Sequence, residues 1–295
     1  MTAYEYIATA DELSRYLDRS AANALSAGSS AGGPNLAMDI EAELNLHVYG
    51  ERFCLLQVYD GTHPAVVDPT TVSIESIKAV LEDSRIQKVL YDAASDRALL
   101  YKTHRILMRG VVDLKPAVEL LEFEKQGLDS VLTAVLGVEP PASKRKFQQY
   151  NWTRRPIHRD AIEYALRDVL YLFDLRDALF ARLEEAGKTG EYLAENAKRD
   201  EIVPDVDRKP GFLRSRRVER LTAGRRRELE RLWAIREGYA ERLDVPPNMV
   251  VANNDLLAIA AGKAALESLR AGGRVPRKLF EEMMEEMRKG SSGDG

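Results

Sequence analysis

The chain has a single cysteine, Cys54, so it can form no internal disulfide and cannot be a disulfide scaffold. Its four histidines are scattered without the paired spacing of a zinc finger. Long apolar runs are missing as well. The longest uncharged stretch, 20–38, has the length of a membrane span but is built from Ser, Ala, Gly, Pro and Asn. The opening Met1-Thr-Ala-Tyr-Glu-Tyr6 has no basic segment leading into an apolar one, so no secretory leader is expected. These shortages point to a reducing, cytoplasmic setting with no membrane partner. A composition of 45% hydrophobic and 31% charged residues excludes a mainly disordered chain or a coiled-coil rod. A length of 295 residues has room for about two domains.

Net charge is −4, but it is unevenly distributed. From Arg208 onward there are 19 basic against 13 acidic residues, and the first 207 residues hold the other 24 against 34. An acidic front joined to a basic back suits a metal-using enzyme with a nucleic-acid-binding appendage.

Periodicity predicts a strand at Tyr4–Ala8, then a helix opened by the Thr9–Glu12 capping-box spacing. The Ser20–Asn35 stretch reads as a surface loop. Strands follow at Asn35–Glu41, Phe53–Tyr59 and Ala65–Asp68, the last after an Asp60-Gly61 turn. Beyond Pro69 the pattern alternates: helix from Ile74, strand at Lys88–Tyr91, helix at Ser95–Tyr101, strand at Gly110–Asp113, then mainly helix, including Ile162–Ala186. This order predicts an α/β domain with a mixed sheet. A basic linker is expected at 204–221, and after it only helices: Arg225–Arg242, Asn254–Ile259, Gly262–Arg270 and Lys278–Lys289. They make a small all-α bundle at 222–289, with a disordered tail at 290–295.

Three acidic motifs stand out. Asp39 and Glu41 lie two apart in a strand and so project from one face, with Leu36, Met38 and Ile40 on the other. Paired hard oxygens of this kind suit Mg²⁺ or Mn²⁺. Asp96 falls at the start of a helix just after a strand. Tyr164 and Asp168 are four apart on a helix and share a face. Taken singly, each has a plainer reading: a solvent-facing edge, a helix cap, an amphipathic surface pair. Gly187-Lys188-Thr189 is not a phosphate loop, because Arg182 stands where the first glycine is needed.

In this order, Asp39-x-Glu41, Asp96 and Tyr164-x-x-x-Asp168 resemble the DEDD-type 3′–5′ exonucleases of the tyrosine subclass. Gln57, Asp68-Pro69, Lys88-Val-Leu90, Val112-Asp113, Trp152 and Arg155-Pro156 narrow the likeness to ribonuclease D. Arg231-Leu-Trp-Ala-Ile-Arg236, Asp244-Val-Pro-Pro247 and Asn254-Asp255 resemble a helicase-and-RNase-D C-terminal domain. The family often has His at the position of Tyr91 and an aromatic at that of Ala42; its basic residue near Arg145 has no certain counterpart, and the Ser20–Asn35 stretch resembles an insertion.

The resemblance implies a ribonuclease H-like exonuclease domain over 1–203, followed by the helical bundle. It implies two divalent ions, Mg²⁺ or Mn²⁺, held by Asp39, Glu41, Asp96 and Asp168, with Tyr164 orienting the attacking water. It also implies trimming of RNA, such as tRNA or other structured precursors, from a single-stranded 3′ end. Single-stranded DNA hydrolysis and a non-catalytic RNA-binding adaptor are the alternatives. Lys144, Arg145, Lys146, Gln148, Trp152 and Arg155 near the site, and Arg214, Arg216, Arg217, Arg225, Arg226 and Arg227 behind it, are the candidate nucleic-acid contacts. A monomer is expected.

Overall fold

The computed structural model describes residues 3–26, 34–140, 144–147, 149–206 and 209–289, with the side chains of 24–26, 144 and 145 outside the description. Two compact units result, one of residues 1–42 and 52–206, the other of 43–51 and 207–295.

The first unit begins with β1 (Glu5–Ile7) and α1 (Ala10–Ser26). The Thr9 and Glu12 side chains cap α1 reciprocally: Glu12 N–H donates to Thr9 Oγ1 at 3.2 Å and Thr9 N–H to Glu12 Oε2 at 3.0 Å. The helix runs on through residues expected to be loop. Ala21, Ala22, Ala24 and Leu25 are strong helix formers, and Ser20 is anchored to Tyr16 O at 2.8 Å. The rest of the expected loop, 27–33, lies outside the described residues.

Then come β2 (Asn35–Leu44), β3 (Glu51–Tyr59), β4 (Pro64–Val67), α2 (Ile74–Glu82), β5 (Gln87–Leu90), α3 (Ala94–His104), β6 (Val111–Asp113), α4 (Lys115–Leu120), α5 (Leu128–Leu136), α6 (Lys144–Phe147), α7 (Arg159–Leu170), α8 (Leu172–Glu185) and α9 (Thr189–Glu201). The described strands form one sheet in the order β1-β4-β3-β2-β5-β6. β1 and β4, β2 and β5, and β5 and β6 pair in parallel, whereas β3 runs antiparallel to β4. The sheet is therefore mixed, as the sequence predicts.

Each face of the sheet carries its own apolar layer. Leu36, Met38 and Ile40 join Tyr16 of α1, Ile77 and Leu81 of α2 and Leu100 of α3 on one face. Ala37 joins Leu55, Val66 and Val89 with residues of α4, α5, α7, α8 and α9 on the other. The expected Ile162–Ala186 helix is interrupted at Tyr171, whose ψ of 1° separates α7 from α8.

The second unit contains α10 (Arg216–Glu219), α11 (Ala223–Leu243), α12 (Pro247–Val250), α13 (Asn253–Ala260) and α14 (Arg277–Lys289). Leu229, Leu232, Tyr239, Leu256, Met283 and Met287 fill its core. Leu213 and Val218 are buried there as well, so most of the basic stretch read as a linker is folded. Tyr49, from the turn between β2 and β3, packs on this core, and its N–H donates to Asp244 Oδ1 at 3.2 Å. The expected Gly262–Arg270 helix is reduced to a 3₁₀ turn at Leu266–Ser268. Gly262, at φ +71°, ends α13 with Lys263 N–H donating to Ala258 O at 2.9 Å, a reversal that only a residue tolerant of left-handed backbone accepts readily. Among the described residues, no helix is long and apolar enough to cross a membrane.

Candidate active site

Strand alternation sends Leu36, Met38 and Ile40 into one core, which leaves Asp39 and Glu41 on the face covered by α7. On α7, Ala161, Ile162, Ala165, Leu166 and Val169 are buried against the sheet. That stripe fixes the rotation of the helix and with it the direction of Tyr164 and Asp168, one turn apart. The start of α7 is also pinned: His158 caps it by accepting from Asp160 N–H at 3.2 Å, and His158 N–H donates to Tyr150 Oη at 2.9 Å. The outcome is a three-carboxylate cluster. Asp39, Glu41 and Asp168 each offer an oxygen within 4.8 Å of the others, an arrangement that can hold a metal ion.

Asp96 sits in the first turn of α3, where the sequence puts it, and acts on this cluster electrostatically without joining the 4.8 Å group. Burial first, then the charges of Asp96, Asp168 and Glu41, pushes the Asp39 carboxyl well above the usual carboxylate range. Glu41 moves the same way through burial and the charges of Asp168 and Asp96. Burial, then Asp92 and Asp113, pushes Asp96 up to about 7. Four like-charged groups in a partly buried site repel each other, and a bound cation relieves that repulsion. Hard carboxylate oxygens fit Mg²⁺ or Mn²⁺.

Tyr164 is half-buried, its ring 5.2 Å from that of Phe147. Burial, and then the charges of Asp168, Glu41, Asp129 and Asp39, raises its phenol above the usual tyrosine value. It therefore keeps its proton at neutral pH and cannot serve as a free base. What it can do is position a water by hydrogen bonding.

Two of the expected nucleic-acid contacts are engaged within the fold. Trp152 is only 3% exposed, with its ring edge-on to Tyr150 at 4.8 Å. Arg155 grips buried Asp68 with two bonds, Nε to Oδ2 at 2.6 Å and Nη2 to Oδ1 at 2.8 Å. Its remaining N–H groups donate to Cys54 O at 2.6 Å and Trp152 O at 2.7 Å, which leaves little capacity for phosphate. Lys146 is exposed, 4.9 Å above the Phe147 ring and 3.8 Å from Asp160. The Lys144 and Arg145 side chains and Gln148 lie outside the described residues. Arg214, Arg216, Arg217, Arg225, Arg226 and Arg227 are all exposed in the second unit; Arg217 Nη1 donates to Asn254 Oδ1 at 2.9 Å and Arg226 Nη2 to Leu221 O at 3.2 Å.

Asp113 is a residue whose contribution the sequence did not expose. It ends β6 and accepts from the backbone of the turn that leads to Asp96. A lone acid at a strand end carries no local signal of such a partner.

The chain matches the family described as 3′–5′ exonuclease over residues 4–184. It is 28% identical over 268 residues to ribonuclease D from Jannaschia sp., covering 87% of this chain and 65% of that one. It thus spans just under two thirds of the length of that relative. Its fold is similar to the catalytic core of RRP6 from Trypanosoma brucei, with a TM-score of 0.74 at 18% identity, covering 99% of this chain and 81% of that one. Escherichia coli RNase D gives a TM-score of 0.70 at 22% identity, with coverages of 99% and 76%. Those two likenesses speak for the fold alone. With the converging acids, Tyr164 one turn from Asp168, and a match over most of the first unit, the chain belongs to the 3′–5′ exonuclease family.

Proposed function

We propose that the protein is a metal-dependent 3′–5′ exoribonuclease that trims RNA ends and releases nucleoside 5′-monophosphates. The observation that carries this reading is the convergence of Asp39, Glu41 and Asp168, near enough that, after burial, their charges raise the Tyr164 phenol, with Asp96 close enough to perturb Asp39. In the reaction, water attacks the terminal phosphorus, the bond from phosphorus to the 3′ oxygen of the penultimate nucleotide breaks, and that oxygen takes up a proton. Asp39, Glu41, Asp96 and Asp168 would hold two divalent ions, which when bound acidify water and offset charge on the phosphate. Tyr164, protonated, aligns the attacking water by hydrogen bonding. The carboxylates themselves repel phosphate, so substrate attraction must come from cations elsewhere in the chain.

Exposed Lys146 and the exposed arginines from Arg214 to Arg227 support that role, because binding to phosphate gives affinity without sequence preference. We assign residues 222–289, which make up most of the second unit, as a nucleic-acid-binding module similar to the helicase-and-RNase-D C-terminal domain. Its separate core and exposed basic clusters are consistent with this assignment.

The test is degradation of matched, 5′-labelled single-stranded RNA and DNA with Mg²⁺, Mn²⁺ or EDTA, using wild type and Asp39→Ala. Stepwise loss of RNA from the 3′ end, abolished by EDTA and by the substitution, is expected. Faster loss of DNA would reassign the substrate. Binding of RNA without cleavage under either metal would replace the enzyme by an adaptor.

A further inference from the structure

Asp96 rides on a turn with an unusual backbone. Asp92, just before α3, has φ +61°, a left-handed conformation that is uncommon outside glycine but that aspartate tolerates better than most residues. The group that holds this turn is Asp113. Its carboxylate accepts from Asp92 N–H at 2.8 Å and Ala93 N–H at 3.3 Å, and from Lys115 N–H at 3.0 Å. One side chain therefore joins the end of β5, the start of α3 and the start of α4.

Asp113 is in turn held by α9. Asn196 accepts from Asp113 N–H at 2.9 Å and donates to Val111 O at 2.8 Å. Tyr192 Oη donates to Asp113 O at 3.1 Å, and Arg199 Nη1 lies 3.9 Å from Asp113 Oδ2. The link closes from the other direction through Arg97, which immediately follows Asp96 and is buried. Its guanidinium donates to the carbonyls of Arg199, Asp200 (2.8 Å) and Ile202 (3.2 Å) at the C-terminal end of α9. Helix α9 begins at Thr189, beyond the 4–184 span of the family match.

We propose that Asp113 and helix α9 form a buttress that sets the position of Asp96 relative to Asp39, Glu41 and Asp168. Asp113 and Asn196 are positioning residues, acting through the backbone of 92–93 without touching substrate. The proposal rests on the reading of Asp96 as one of the metal-holding carboxylates. A residue that merely supports the fold would change stability; a positioning residue changes the order of one turn and the affinity of the site.

The experiment uses the full chain as wild type, Asp113→Asn, Asn196→Ala, and Lys198→Ala as an exposed change on the same helix. Amide hydrogen exchange at Asp92 and Ala93 is measured in EDTA, Mn²⁺ affinity by calorimetry, and folding by circular dichroism. Faster exchange at both amides is expected in the first two variants, together with about a tenfold loss of Mn²⁺ affinity, within the range seen when partners of metal ligands are removed. Lys198→Ala should match wild type. If Asp113→Asn fails to fold, Asn196→Ala and Arg97→Lys carry the test. Wild-type exchange and Mn²⁺ affinity in the folded variants would overturn the buttress while leaving the exonuclease reading intact. Absence of Mn²⁺ uptake by wild type would overturn that reading, and the proposal with it.

Discussion

Asp39, Glu41, Asp96 and Asp168 bring like charges into a partly buried space, and the raised carboxyls of the first three show what this costs the metal-free fold. For Asp96 the sign follows from linkage. Its native carboxyl titrates near 7 against an ordinary value of 3.8, so the folded chain holds the proton more firmly than the unfolded one. That stability is complete below about pH 4 and is lost as pH rises toward 7. Asp96→Asn should therefore stabilise the metal-free protein at pH 8, by roughly 1–2 kcal/mol once partial exposure is allowed for, and hardly at all at pH 4. Thermal unfolding in EDTA at the two pH values measures this.

Asp68 has the opposite sign. Burial raises its pKa, but hydrogen bonds from Arg155, Tyr6 and Thr70 outweigh burial and hold it well below the usual range. Its contribution is present above about pH 4 and disappears as pH falls through the native pKa. Arg155→Ala leaves a buried carboxylate without its cation and should cost about 3–5 kcal/mol at pH 7. The loss should shrink below pH 4 as Asp68 protonates, and denaturant titrations across that range would show it.

At the scale of elements, close approach of backbones decides which changes are tolerated. A Cβ added at Gly272 would run into the backbone carbonyl of Met249, whereas one at neighbouring Gly273 meets nothing within 4 Å. Gly272→Ala should destabilise the second unit by about 1–3 kcal/mol or more and Gly273→Ala by little. Unfolding of each variant, followed by tryptophan fluorescence from Trp233 in that unit, would separate them.

The same contrast explains what the sequence reveals. Asp39 with Glu41 and Tyr164 with Asp168 were legible because both spacings are set by local periods of two and four residues. The sheet was legible in its strands, and α1 was capped where Thr9 and Glu12 put it. The sequence does not show the grip of Arg155 on Asp68, because the two are 87 positions apart; Asp113 is legible only as part of the ribonuclease D likeness, because its ties run to residues 92–93 and 196. Composition also misled. Ser, Ala and Asn at 20–26 read as loop, yet the alanines extend α1.

For the whole molecule, the uneven charge is a division of labour under the proposed function. The first 207 residues hold 24 basic against 34 acidic residues, and the rest hold 19 against 13. Acids that gather cations serve the chemistry, and exposed arginines supply attraction for a polyanion. Replacing Arg225, Arg226 and Arg227 together by alanine removes three exposed charges at the start of α11 without touching the buried Leu229 and Leu232. Affinity for single-stranded RNA should fall at every sequence alike. Its dependence on log salt should also flatten, by about 0.7 for each phosphate that is no longer neutralised. Because these residues act on capture, KM should rise while kcat at saturating RNA stays near wild type. A fall in kcat with unchanged salt dependence would instead place the cluster in the chemical step, and wild-type values for both would make it a solvated helix start with no role in binding.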